Sequence, residues 1–334
     1  MATRSTILSP AATDVQSSAP VTQVSLSRVG VTGVEKVIRV AVDGTESTYH
    51  AEFECLVDLN PRQAGVHMSR FEEIVGEAID EVVLGEAFRA EVLAAHIAQR
   101  VRERQGGLRA EVSVTARYPE TVTTPASGQR TQEIYVLFGT AVDSLRGTRT
   151  LTGVQAQGMT ACPCAQEMVG GLARERLAEQ GFDAEQIERA IEAVPIATHN
   201  QRGIGSLHIG CPEGGPAWID APELLRIVEQ SMSSEIYELM KRPDELAVVA
   251  KAHSQPRFVE DCVREMLRRV VEDYPDLPGE AFVLARQENL ETIHRHNVIA
   301  ERHGKLDDLR AELESGEHQR RHVTVREWLE APAT

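Results

Sequence analysis

Residues 50–59 read HAEFECLVDL, and their alternation decides the fold class. Ala51, Phe53, Cys55, Val57 and Leu59 are apolar, while His50, Glu52, Glu54 and Asp58 on the other parity are polar. A period of two puts the apolar set on one face of a strand. Outward from it, GVEKVIRVAV (33–42) predicts a preceding strand. NPRQAG (60–65) breaks the chain. The pattern then predicts a helix over about 69–86, with Ser69 as N-cap and Glu72 closing a capping box. A second helix is predicted over about 88–104, ending before Gly106-Gly107. LRAEVSVTAR (108–117) and TQEIYVLFGTAVD (131–143) predict two further strands. The order is strand, strand, helix, helix, strand, strand.

The second half follows a looser version of that order. Strands are predicted at about 149–159, 204–211 and 281–286. Helices are predicted at 164–180, 183–193 with Asp183 as N-cap, 221–240, 256–274 and 297–315. No residue-level repeat links the halves. The pattern predicts an α+β fold of two similar antiparallel sheets backed by helices. The expected organisation is a flexible arm over 1–25, a first module over 26–147 and a second over 148–334.

Composition narrows the function. The 334 residues are 42% hydrophobic and 26% charged, enough for a substantial core. With 35 Lys+Arg against 51 Asp+Glu, the net charge of −16 argues against nucleic acid or an anionic membrane as partner. Aromatics at 4% disfavour a base-stacking surface. No apolar run approaches ~18 residues, so no membrane span is predicted. The first residues, MATRSTILSP, lack the apolar core of a secretory signal. The five cysteines are an odd number in a long chain, which reads as free or metal-bound thiols in a reducing, cytoplasmic compartment.

The densest chemical signal is Cys162-Pro163-Cys164, placed where a strand gives way to a helix. A helix N-terminus favours thiolate, which is both metal ligand and nucleophile. Two buried cysteines at a turn are the plainer alternative. The spacing is tighter than a CxxC knuckle, so other ligands must come from elsewhere. His199 stands in THNQRG, four consecutive polar residues between helix and strand, which suggests either a lined pocket or a solvated loop. KRPDE (241–245), FVED (258–261) and ETIHRHN (291–297) are each weak alone. Together, Cys, His, Glu and His make a mixed donor set suited to zinc or iron. In the first half, Ser69 and Arg70 open a predicted helix and could hold phosphate. TPASGQRTQE (124–133) is a polar loop entering a strand.

These segments together resemble the type IB GTP cyclohydrolases, and within them the archaeal-type enzymes that start methanopterin synthesis. The matching pieces are SRVGVTGVEK (27–36), VDL…GVHMSR (57–70), TPASGQRTQE (124–133), GMTACPCAQE (158–167), VPIATHNQRG (194–203), LMKRPDE (239–245), FVEDCVR (258–264) and NLETIHRH (289–296). The chain departs from the bacterial form by a longer stretch between CPC and HNQR. The resemblance implies a tunnelling fold with two ββααββ-like modules per protomer and a homotetramer with active sites at subunit boundaries. It implies a divalent metal, Fe(II) in the archaeal branch, with zinc or manganese used in the bacterial one. It places the metal ligands at Cys162, His199, Glu245 and His294, with His296 the alternate. It gives Cys164 and Glu260 roles in catalysis or purine anchoring. Arg70, Arg130, Arg202 and His296 are the candidates to hold substrate. The implied reaction opens the guanine imidazole ring of GTP at C8, releases formate and recloses to a 7,8-dihydroneopterin phosphate. Another tunnelling-fold enzyme, such as a pterin aldolase or a queuosine-pathway nitrile reductase, is the alternative, and a non-enzymatic metal-binding scaffold a more distant one.

Overall fold

The first half lays down two long strands, β1 (Leu26–Val42) and β2 (Thr45–Leu59), then helices α1 (Met68–Glu81) and α2 (Ala90–Gln105), then strands β3 (Arg109–Thr123) and β4 (Arg130–Ser144). The second half runs β5 (Gly147–Ala161), α3 (Pro163–Glu179), α4 (Ala184–Ala193), β6 (Asn200–Cys211) and α5 (Ala221–Gln230). It continues with the two-residue β7 (Ser234–Glu235), α6 (Arg242–Ser254), α7 (Val259–Asp273), β8 (Phe282–Leu290), β9 (Val298–Lys305), α8 (Leu306–Ser315) and α9 (Val325–Glu330). The computed structural model describes residues 15–42, 45–81, 89–212, 219–317 and 320–331. Residues 1–14 of the arm expected over 1–25, the end of the first predicted helix (82–86) and the start of the second (88) lie outside the described residues. Within the arm, Gln16 and Ser18 accept backbone hydrogen bonds from Gly65 (3.2 Å) and Ala64 (2.8 Å) ahead of α1.

All strands pair antiparallel, in the order β1-β2-β3-β4-β5-β6-β8-β9, with β7 beside β5. In place of the two expected sheets there is one, continuous across the expected module boundary, because β4 and β5 pair from Ser144↔Gly147 to Val136↔Gln155. The opening alternation is realised: Ala51, Phe53, Cys55 and Val57 are buried on the face that carries the helices. On that face α2 presses Leu93, Ala94, Ile97 and Val101 into the core. Its approach is so close that a Cβ at Gly139 would lie 2.1 Å from the Ala90 carbonyl carbon, so only glycine fits there. In the second half α5 supplies Leu224, Ile227 and Val228, and α7 supplies Cys262, Met266 and Val270, to the same core. The opposite face carries a small cluster in which Trp328 and Leu329 of α9 meet Val142, Leu151 and Phe282.

Four local expectations differ from the structure. The predicted helix over 297–315 is a strand, β9, followed by α8. Residues 298–305 find the open edge of β8, from Asn289↔Val298 to Phe282↔Lys305, and long-range pairing overrides local propensity. The predicted helix over 221–240 stops at Gln230. Ser231 turns its hydroxyl back to the Ile227 carbonyl (2.7 Å), and Ser233 Oγ accepts from the Ala161 amide (3.1 Å), diverting the chain to β7. The helix predicted to start after Pro256 begins at Val259, because the Arg257 amide donates to the Ala161 carbonyl (3.0 Å). Ser69 lies inside α1, and Glu72 accepts from Lys36 Nζ (2.9 Å) instead of closing a capping box.

Candidate active site

Three neighbouring strands, β5, β6 and β8, change character along their helix-facing side. Deep in the core the row is Val154, Leu207 and Ala285, all buried and apolar. Two rows nearer the strand ends follow, Ala156–Gly205–Gln287 and then Gly158–Gly203–Asn289. Thr160 then pairs with Gln201. The same alternation, carried just past the strand ends, brings Cys162, His199 and Glu291 together. These three line one cavity of about 450 Å³ with Gln201, Asn289, Arg257, Glu260, His294 and His296.

Each group is held from its backbone. Cys162 is the N-cap residue of α3 in extended conformation, with Pro163 in the first turn. Its amide donates to the His199 carbonyl (3.1 Å), and its own carbonyl accepts from Thr198 Oγ1 (2.7 Å). His199 Nδ1 lies 3.0 Å from Gln201 Oε1 and 3.8 Å from Glu291 Oε2. With Nδ1 protonated and donating to Gln201, Nε2 carries the ring's lone pair. Thr292 Oγ1 donates to the Asn200 carbonyl (3.0 Å), pinning the Glu291 segment to β6. His294 and His296 are exposed and stack, with ring centroids 5.2 Å apart and planes 15° apart. Arg257 donates from Nη1 to the Gln230 carbonyl (2.8 Å).

The buried atom that invites a partner is Glu291 Oε2, which makes no hydrogen bond. A carboxylate oxygen in that state is costly unless a cation or donor satisfies it. The surrounding thiol, imidazole and carboxylate are the donors that zinc or iron takes. Among the described residues no three His, Cys, Asp or Glu side chains stand close enough together to hold an ion. The donors therefore share a cavity without forming a closed cage.

Of the residues singled out from sequence, the structure brings Cys162, His199, Glu260, His294 and His296 into this cavity. It does not bring the others. Cys164 is exposed in the first turn of α3. Glu245 is exposed on α6, and the carboxylate beside His199 is Glu291 instead. Arg202 is exposed on β6 on the parity opposite to Gln201, Arg130 is exposed where β4 begins, and Arg70 donates to the Arg104 carbonyl (3.3 Å) at the far end of the sheet. Sequence reasoning passed over Glu291, Gln201, Asn289 and Arg257. Glu291, Gln201 and Asn289 stand inside segments already marked, THNQRG and NLETIHRH. Arg257, just ahead of FVED, carried no signal.

The KRPDE acid that does structural work is Asp244. It is fully buried and accepts from the amides of Ala126 (2.9 Å), Ser127 (2.7 Å) and Lys241 (2.9 Å) and from Ser127 Oγ (2.5 Å). Burial alone would raise its pKa, yet these four bonds hold the carboxyl well below the usual range. Two motifs distant in sequence, TPASGQ and KRPDE, are thereby one structural unit. All five cysteines are free. Burial pushes Cys55 and Cys262 up to about 12 and Cys211 to about 11, so the accessible thiols are those of the CPC pair.

The sequence profile of the family described as Type I GTP cyclohydrolase folE2 matches residues 12–300. The chain is 40% identical over 307 residues to the GTP cyclohydrolase MptA of Methanococcus aeolicus, covering 90% of this chain and 99% of that protein. It is 41% identical over 307 residues to the protein of the same name from Methanothermobacter thermautotrophicus, covering 90% and 96%. Among solved structures, a uricase from Arthrobacter globiformis superposes with a TM-score of 0.50 at 9% identity, covering 85% of this chain and 96% of that one. A hyper-thermostable uricase mutant gives 0.51 at 9% identity, covering 84% and 92%. At that identity the likeness is one of fold: a mixed α/β chain built on an antiparallel sheet with helices.

Proposed function

The chain belongs to the type I GTP cyclohydrolase family and is an enzyme acting on GTP, and from that premise we propose that the cavity at the ends of β5, β6 and β8 is where the guanine ring is opened. The observation that carries this is the convergence of Cys162, His199, Glu291 and Glu260 on one cavity, with Glu291 Oε2 buried and unbonded 3.8 Å from His199 Nδ1.

Cys162, His199 and Glu291 would hold a divalent metal, Fe(II) by the donor set and the family branch, with His294 as the further ligand and His296 its alternate. When bound, the metal supplies Lewis acidity that makes water a nucleophile near neutral pH. Gln201 keeps His199 in one tautomer, so its free nitrogen is the ring position left for a ligand. Glu260 accepts from the N1–H and exocyclic amine of guanine, which fixes the ring. Cys164, two residues past Cys162, is the candidate to move a proton at N7 as water adds at C8. Ring opening gives a formamide, and a second hydration releases formate. The ribose carbons then rearrange and reclose the ring with loss of water, giving 7,8-dihydroneopterin triphosphate, or its 2′,3′-cyclic phosphate when the 2′-hydroxyl displaces diphosphate from the α-phosphorus.

The described sheet has two open edges, β1 and β9, and its element order accommodates the tunnelling fold with two ββααββ modules, the second carrying α3–α4 as an insertion. The open edges support a homotetramer with sites at subunit boundaries. Arg70, Arg130 and Arg202 would then meet the triphosphate across that boundary. The free thiols support a reducing, cytoplasmic setting, and no described helix is long and apolar enough to cross a membrane.

Anaerobic incubation of the full chain with GTP and Fe(II), Mn(II) or Zn(II), followed by formate assay and mass spectrometry, tests the reading. Formate with a dihydroneopterin species is expected, and the mass distinguishes cyclic phosphate from triphosphate. Full activity after substitution of both Glu291 and His199 would move the reaction out of this cavity.

A further inference from the structure

Beneath the ionisable rim of the cavity lies a short ladder of buried amides. Gln287 is fully buried and Asn289 nearly so, on alternate positions of β8. Glycines make the room. A Cβ at Gly203 would lie 2.4 Å from Gln287 Nε2 and 3.3 Å from Asn289 Oδ1, and one at Gly205 would lie 2.9 Å from Gln287 Oε1. Such a ladder costs desolvation, which the bond within it offsets only in part.

The direction is set. Gln287 Nε2 donates to Asn289 Oδ1 (3.1 Å), which fills one of that oxygen's two acceptor positions. Gln287 Oε1 is left buried without a partner, beside Val228 under Gly205. Reversing both amides would put an NH2 group in that apolar spot with both of its N–H donors unmet. Asn289 Nδ2 makes no hydrogen bond among the described residues, and the residue lines the cavity. Asn289 therefore keeps an unused amide N–H group at the cavity wall, while its oxygen already accepts from Gln287.

We propose that Asn289 determines purine specificity by donating its amide N–H to the O6 carbonyl of guanine. This rests on guanine lying against Glu260 in this cavity, as proposed above. With Glu260 on the N1–H edge, the C6 carbonyl is the next acceptor along that edge, and the Asn289 amide is an uncharged donor lining the same cavity. Adenine carries an amine there and would face donor with donor.

The test uses GTP and 6-thio-GTP, which keeps N1–H and the 2-amine but has a weak acceptor at position 6. KM and kcat are measured on metal-loaded wild type, Asn289→Ala, Asn289→Ser and Glu260→Gln, with metal content and melting temperature recorded for each. Wild type is expected to favour GTP about tenfold in KM, the weight of one neutral hydrogen bond. In Asn289→Ala the KM for GTP rises about tenfold, more than kcat falls, and the preference over 6-thio-GTP collapses to about one. Asn289→Ser gives the same collapse with less disturbance should alanine fail to fold. A preference retained in these variants, or absent in wild type, overturns the role of Asn289. If Glu260→Gln leaves GTP kinetics unchanged, guanine does not lie here, and the placement falls together with the proposal.

Discussion

At the residue scale, the two cysteines of CPC are separated by one proline and have different surroundings. Cys162 lines the cavity beside His199, while Cys164 is exposed one step into α3. Cys162→Ala and Glu291→Gln are each expected to lose bound metal. Cys164→Ala is expected to keep the metal and lose turnover. Elemental analysis of purified variants alongside formate release separates the two behaviours. Equal metal and full activity in both cysteine variants would overturn the assignment. His199 was legible because the polar THNQRG run at an element junction has no packing rationale, Cys162 because two thiols stand where a strand gives way to a helix, and NLETIHRH through its His-x-His pair. Glu291 was visible only as one letter of that segment. Its claim comes from standing 3.8 Å from His199, across β6 and β8.

At the element scale, α6 is tied to the loop before β4 by a single buried carboxylate. Asp244 is ionised in the fold because four donors converge on it. Its folded pKa lies below the unfolded value of about 3.9, so the stability it contributes is present above that value and is lost as pH falls through the folded pKa. Asp244→Asn is expected to lower the melting temperature at neutral pH and to flatten the decline of stability below about pH 4 relative to wild type. Denaturant melts of both proteins across that range check it. Parallel acid limbs in the two proteins would remove Asp244 from the account. Asp183, by contrast, was readable in advance as a cap. It accepts from the Gln186 amide (2.9 Å), and Gln186 Oε1 accepts from the Asp183 amide (3.0 Å), a local capping box needing no distant partner.

At the scale of the whole molecule, one sheet presents two unlike faces. The helices cover one, and α9 reaches round to the other. Trp328 is buried there, donates from Nε1 to the Glu280 carbonyl (2.9 Å) and lies under the Arg149 guanidinium at 5.0 Å. A Cβ at Gly210 would lie 2.8 Å from its ring. Trp328→Ala is expected to cost about 3–5 kcal/mol, as deleting a buried aromatic does. The shift of the denaturant midpoint measures it, and a loss under about 1 kcal/mol would mean that α9 does not hold this face. The stretch between CPC and HNQR is the hairpin α3–α4. It buries little more than Gly170 and Ile187, leaving Met168, Leu172 and Val194 exposed.

The sequence by itself determined the strand alternation of 50–59, the helices of the first half, the α3–α4 pair and the identity of the chemistry-bearing motifs. These depend on period, capping and residue type within a few positions. Only the tertiary structure decided that 298–305 is a strand, because its hydrogen-bonding partner is the edge of β8. Only the tertiary structure turned Asp244 into a fastener, set Glu291 beside His199 and placed Asn289 in the cavity wall. Each of those depends on the register of three strands drawn from 147–161, 200–211 and 282–290, or on a loop more than a hundred residues away. No local pattern carries that information.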